Sequence, residues 1–338
     1  MKFENITKII LFGGGRVLAE FAKWIIKEKY EVLVFSSKRH MTETITENGK
    51  TLKDVLEESN IQYFSSDNIN KDKNLEKNIT KGTLGIGFGP AWFFNKDTIN
   101  KFKGNLVNFH NIPMPKFMGG AHYSWQIMMK NKSGGCHIQI INEPEDTYPV
   151  LKPVIYSKNY KFPKSVKIPQ DYFDFAFEED LSFLKEFISK VKKGSDFESI
   201  NLDKESAITF PRLNTKKHGF INWNMNTEEI ELFICAFDDP YPGASTFING
   251  KRVFLKKVYT EFSDGPFHPF QSGLVYRKSK DALFVATRNG TLIVKEIIYE
   301  DSSSAMGDIK LGDRFYTPQK HIEESMLFRA VYDAGGLK

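Results

Sequence analysis

The first 35 residues restrict the fold most. The short apolar run KIILF (8–12) ends in Gly13, Gly14 and Gly15. VLAEFAKWIIKEK follows, with apolar residues at helical spacing, and then EVLVF (31–35). Strand, glycine turn, helix and strand make a βαβ unit. TLGIGF (83–88) and NLVNF (105–109) read as further strands, with DTINKF (97–102) as a helix between them. The first 110 residues therefore predict an α/β fold with a doubly wound, Rossmann-like sheet.

The glycine turn has two readings. GGGRVLA almost satisfies a dinucleotide fingerprint, in which pyrophosphate rests on a helix N-terminus. The second strand ends in SSKR rather than an acidic residue, which suits a 2′-phosphate and keeps an NADP-dependent reductase as an alternative. The plainer reading is that glycines bend strand into helix. This region alone leaves both open.

Further along, HNIPMPKFMGG (110–120) is an irregular Pro/Gly loop. HYSWQIMMKN reads as a helix, CHIQIIN (136–142) and TYPVLKPVIY (147–156) as strands joined by the turn NEPED, and 180–194 as an amphipathic helix. Beyond about residue 205 come short alternating runs, among them KRVFLKKVYT, ALFVATRNG and TLIVKEIIY, separated by turns. They predict a small β-barrel. The expected organisation is residues 1–205 as a catalytic domain and 206–338 as an OB-like domain with a patternless tail. A chain of 338 residues suits two domains, at roughly 100–200 residues each.

Charge and cysteine content narrow the function classes. The net charge is +5, and residues 201–338 carry as many basic as acidic residues. The excess therefore lies in residues 1–200. Cys136 and Cys235 each sit in an apolar run, which reads as buried, reduced thiols without a disulfide framework or zinc pattern. The N-terminal apolar run is too short for a signal peptide or membrane span, so the expected setting is cytoplasmic.

The segment NFHNIPMPKFMGG, followed by Asp146, resembles the formyltransferase family, which includes methionyl-tRNA formyltransferases and sugar-nucleotide N-formyltransferases. The family signature is Asn-x-His at a strand end, a proline loop ending in glycine, and an Asp 36 residues after the His. Asn108, His110 and Asp146 fit it. A second stretch matches the opening of the family's C-terminal domain: Gly219, Ile221 and Trp223, then Pro-Tyr-Pro-Gly-Ala at 240–244. One departure stands out. The loop position that usually holds Arg is Met118.

The resemblance implies formyl transfer from 10-formyltetrahydrofolate to an amine, through a tetrahedral intermediate. A side-chain amide such as Asn108 can stabilise the oxyanion. The imidazole of His110 suits proton transfer near neutral pH. Asp146 would orient that ring and raise its pKa. Residues i and i+2 on a strand share a face, so Asn108 and His110 point together. The resemblance also places the pterin against Trp92, Phe93 and Phe94, and against Asn142, Glu143 and Asp146. His110, His122, His137 and Asp146 lack the spacing of a zinc site, so no metal is expected.

Two acceptors compete. Binding tRNA depends on phosphate neutralisation over a long basic surface. Here the segment after the second strand, SSKRHMTETITENGK, mixes acids with bases, and the C-terminal part is neutral. These features favour a small amine on a sugar nucleotide over methionyl-tRNA. A formyltransferase-like protein without catalysis is a further alternative, and a homodimer is the default assembly.

Overall fold

A computed structural model describes residues 1–144, 151–333 and 336–337. The N-terminal part alternates β1 (Lys8–Gly13), α1 (Arg16–Lys27), β2 (Glu31–Ser36), α2 (Lys38–Thr42), α3 (Leu52–Glu58), β3 (Gln62–Ser65), α4 (Lys73–Asn78), β4 (Thr83–Phe88), α5 (Lys96–Lys101) and β5 (Leu106–His110). It continues with the two-residue β6 (Met118–Gly119), α6 (His122–Met128), β7 (Ser133–Ile140), β8 (Val154–Lys161) and the long α7 (Pro169–Lys192).

Seven strands form one sheet in the order β3-β2-β1-β4-β5-β7-β8. The first five run parallel; β7 and β8 each pair antiparallel with their neighbour. Both β1 and β4 are buried along their whole length, because helices cover both faces of the sheet. α1 buries Leu18, Phe21, Ala22 and Ile25, one stripe at helical spacing, against the same core as Phe109, Phe183 and Phe187. Phe12, Leu33, Phe94, Ile99 and Phe102 fill a second core on the opposite side.

The sequence reading of this half needs two adjustments. The last strand is Val154–Lys161 rather than 147–156, and part of the expected strand falls outside the described residues. α7 begins eleven residues earlier than 180, because Pro169 opens the helix at its first position and Asp171 caps the Lys167 and Ile168 N–H groups.

A linker with β9 (Thr209–Phe210) leads to α8 (Thr215–His218) and α9 (Thr227–Ala236). Then come β10 (Ala244–Ile248), β11 (Lys251–Glu261), β12 (Val275–Lys278), β13 (Leu283–Thr287), β14 (Gly290–Tyr299), α10 (Gln319–Leu327) and the short β15 (Tyr332–Asp333) and β16 (Gly336–Leu337). β10 to β14 form an antiparallel sheet in the order β10-β11-β14-β13-β12. Residues 314–316 join its two edges: Tyr316 bridges Phe247 of β10, and Arg314 bridges Leu274 at the start of β12. The tail that lacked a pattern in the sequence thus closes the sheet, and it also contains α10. Such a segment carries no amphipathic period of its own because its partners are edge strands.

The two halves share a core. Tyr123, Ile127, Phe162 and Tyr172 of the first pack with Ile230, Ile234 and Phe237 of the second. Ser124 Oγ donates to the Ala236 carbonyl at 2.7 Å, and Gln170 N–H to that of Asp239 at 2.8 Å. Trp223, from the Gly-x-Ile-x-Trp turn, donates to Thr246 Oγ1 at 2.9 Å and stacks on Phe315.

Candidate active site

The register of β5 against β7 builds the site. Asn108 lies opposite Gln139, and His110 opposite His137. Alternation puts all four side chains on one face of the sheet. Their neighbours Phe109, Cys136 and Ile138 point to the other face, towards α7. This polar square lies at the C-terminal end of β5, where open α/β sheets bind ligands.

Asn108 Nδ2 lies 2.7 Å from His110 Nε2. An amide nitrogen only donates, so Nε2 accepts and the imidazole proton resides on Nδ1. Asn108 Oδ1 is buried and has no partner among the described residues. Gly87 on β4 makes room for it, since a Cβ there would overlap Oδ1. The Met114 N–H donates to His137 Nε2 at 3.3 Å, which ties the proline loop to β7. Gln139 Nε2 donates to the Lys152 carbonyl at 2.9 Å and so ties β7 to the chain entering β8.

Burial lowers the pKa of His110 to about 4, opposed by a hydrogen bond with Gln139. The ring is therefore neutral at pH 7 and suited to accept a proton. Burial likewise lowers His122 and His137 to about 4, the latter with help from His110. His40 falls to about 4 by burial and by the charge of Arg39.

These four shifts carry a stability consequence. The unfolded chain protonates histidine near pH 6.5, whereas the folded chain resists until about pH 4. The stability they contribute is full above pH 6.5 and is lost as pH falls through 4. The thermal unfolding midpoint should accordingly drop steeply between pH 6.5 and 4. A midpoint constant across that interval would contradict neutral burial of these rings.

The other expected site residues separate. Phe94 is core, edge-on to Phe12 with ring centroids 5.0 Å apart. Trp92 and Phe93 remain at the rim after β4. Trp92 Nε1 donates to the Asp67 carbonyl at 3.3 Å, and Phe93 is 61% exposed. Asn142 and Glu143 are exposed just beyond β7, with Glu143 3.9 Å from Lys152. Asp146 lies outside the described residues. Met118 is buried where β6 pairs with β9, so this position presents no cation. Gln139 and His137 were not assigned a role from sequence, although their i, i+2 spacing mirrors that of Asn108 and His110.

Three other features bear on chemistry. Gly14 has no room for a Cβ because the His40 ring packs against it, so the glycine turn has a packing reason. Both cysteines are buried, and burial pushes the Cys235 thiol up to about 12 and Cys136 higher still, against a nucleophilic role. No group of three His, Cys, Asp or Glu side chains among the described residues is placed to hold a metal. No helix among them is long and apolar enough to cross a membrane.

The fold and site define a Rossmann-like α/β domain with an Asn–His pair at a strand end, joined to an antiparallel β module. Comparison with known proteins agrees with this fold. Residues 214–307 match the family described as formyl transferase, C-terminal domain. A methionyl-tRNA formyltransferase of Desulfotalea psychrophila is 31% identical over 193 residues, which span 56% of this chain and 56% of that protein. The enzyme of the same name from Lactococcus lactis is 25% identical over 300 residues, 85% and 88% of the two chains. Among solved structures, the N-formyltransferase from Helicobacter canadensis, in complex with folinic acid and dTDP-3-aminofucose, aligns with TM-score 0.62 and 17% identity. That alignment covers 86% of this chain and 99% of the other. A sugar 3N-formyl transferase with dTDP and 5-N-formyl-THF aligns with TM-score 0.63 and 17% identity, covering 86% and 97%. At such identities the structural likeness speaks for the fold.

Residues 214–307 thus match the C-terminal domain of the formyltransferase family, and longer stretches of the chain resemble methionyl-tRNA formyltransferases in sequence. Members of that family catalyse formyl group transfer.

Proposed function

We propose that this chain transfers the formyl group of 10-formyltetrahydrofolate to the amine of a sugar nucleotide. The observation that carries the reaction is the 2.7 Å contact between Asn108 and His110 at the C-terminal end of β5. Neutral His110 takes the proton released as the amine attacks the formyl carbon, and returns it to N10 of the folate as the formyl C–N10 bond breaks and tetrahydrofolate leaves. Asn108 stabilises the oxygen that becomes negative; its Nδ2 turns from His110 to that oxygen as the acceptor enters. Asp146 orients His110 in this reading. Trp92 and Phe93, with Asn142 and Glu143, border the folate slot, and Phe94 supports it from the core. The domain boundary is placed near residue 205, and the closed C-terminal sheet is taken as OB-like.

The choice of acceptor rests on charge. After β2, the basic residues are matched locally: Lys38 with Asp67 at 3.2 Å, Arg39 with Glu43 at 2.6 Å and Lys50 with Glu58 at 2.7 Å. A surface neutralised this way offers few free cations to a phosphate backbone. The buried Met118 removes another. Methionyl-tRNA is the second reading, favoured by the sequence relatives.

The test is direct. Purified protein with 10-formyltetrahydrofolate should formylate amino-sugar nucleotides and leave methionyl-tRNA largely unmodified. Efficient formylation of methionyl-tRNA with no sugar product would reverse the assignment.

A further inference from the structure

Beneath the catalytic face lies a buried carboxylate that the proposed reaction does not use. Asp180 of α7 is 1% exposed. Its Oδ2 accepts from Asn111 Nδ2 at 3.2 Å, and its Oδ1 from the Cys136 thiol at 3.2 Å. Asn111 directly follows His110, and Cys136 directly precedes His137. The carboxylate therefore clips together the two strands that carry the histidines, from the face opposite the site.

The surroundings make this clip costly. No cation pairs with Asp180 among the described residues. The nearby ammonium of Lys158 is bonded to Glu179 at 2.6 Å. The titratable groups facing Asp180 are Cys136 on β7, Tyr123 on α6, Tyr160 on β8 and Glu179 on α7. The Tyr123 and Tyr160 hydroxyls are buried and lack hydrogen-bond partners among the described residues. An unpaired buried charge destabilises a fold, so an apolar or amide residue there would be more stable. Charge-assisted hydrogen bonds, in return, hold their donors more firmly than neutral ones.

We propose that Asp180 is a positioning residue: by clamping Asn111 and Cys136 it fixes where the chain leaves β5, and so sets His110 against Asn108 and His137. The inference rests on the formyl-transfer reading for its kinetics but not for its spectroscopy. Burial raises the Asp180 pKa to about 7, countered by its bonds to Cys136 and Asn111. The clamp is charged above neutrality and weakens below it. For a carboxyl whose pKa is raised on folding, stability is greatest below about pH 4 and is lost as pH rises through 7.

The test uses the full chain with Asp180→Asn, and Asn111→Ala as a second variant should the first fold poorly. Imidazole NMR signals of His110 and His137 should move in both variants, while those of the distant His40 stay in place. In the wild type the His110 signals should step near pH 7, and Asp180→Asn should abolish the step. Asp180→Asn should raise the thermal midpoint at pH 8, with the difference closing towards pH 5. Its kcat should fall at least ~10-fold, as misplacement of a reacting group does, with KM for the formyl donor nearly unchanged. Unmoved His110 signals and wild-type kcat in both variants would overturn the proposal. Moved signals in a protein that transfers no formyl group would keep the clamp and reject the reaction.

Discussion

His110→Ala should lower kcat by at least ~10²-fold, the low end of what general acid–base catalysis supplies. The ring is neutral at working pH, and its Nε2 accepts from Asn108. Removing it takes away the proposed proton acceptor and leaves the Asn108 amide without its partner. KM for the folate donor should change little, because the proposed folate contacts, Trp92 and Phe93, lie outside the Asn108–His110 pair. The measurement is steady-state kinetics on a variant whose circular dichroism matches the wild type. Near-normal turnover would rule out His110 as the proton acceptor. His137→Ala is the informative control. It removes the bond to the Met114 N–H but no reacting group, so its effect should be smaller.

Asn108→Ala should cost ~10²- to 10³-fold in kcat, the usual loss on deleting one oxyanion donor. Gly87→Ala should reproduce part of that loss without touching the amide chemically. Its new Cβ would overlap Asn108 Oδ1, so the Asn side chain or β5 must shift. Overpacking of this kind also costs stability, about 1–3 kcal/mol. The pair of variants separates donor loss from donor displacement. If Gly87→Ala were fully active, the close fit between β4 and Asn108 would have no catalytic meaning.

Much of this was legible from local pattern. The βαβ opening, β4 and β5 and the α1 stripe follow from periodicity, because their apolar spacing reports burial directly. The Asn108–His110 pair was legible because i and i+2 on a strand must share a face. Less could be read where partners are distant in sequence. The strand after the NEPED turn was placed too early, since apolar residues before Val154 imitate a strand. The start of α7 was missed because its first turns are rich in charge. The closing segment at 314–316 has no signal until the edges of the barrel sheet are known. Phe94 shows another limit of local pattern: three adjacent aromatics look alike in sequence, yet one is core and two stay at the rim.

By itself the sequence determined the fold class, the resemblance to formyltransferases and the face that Asn108 and His110 share, since each depends on residues close along the chain. Only the tertiary structure decided which groups surround that pair. Gln139 and His137 arrive by antiparallel register, Gly87 by parallel register, and Asp180 from a helix 69 residues beyond Asn111. The protonation of His110 belongs to this second group as well. A histidine in a sequence has an ordinary pKa, and only the protein packed around it keeps it neutral.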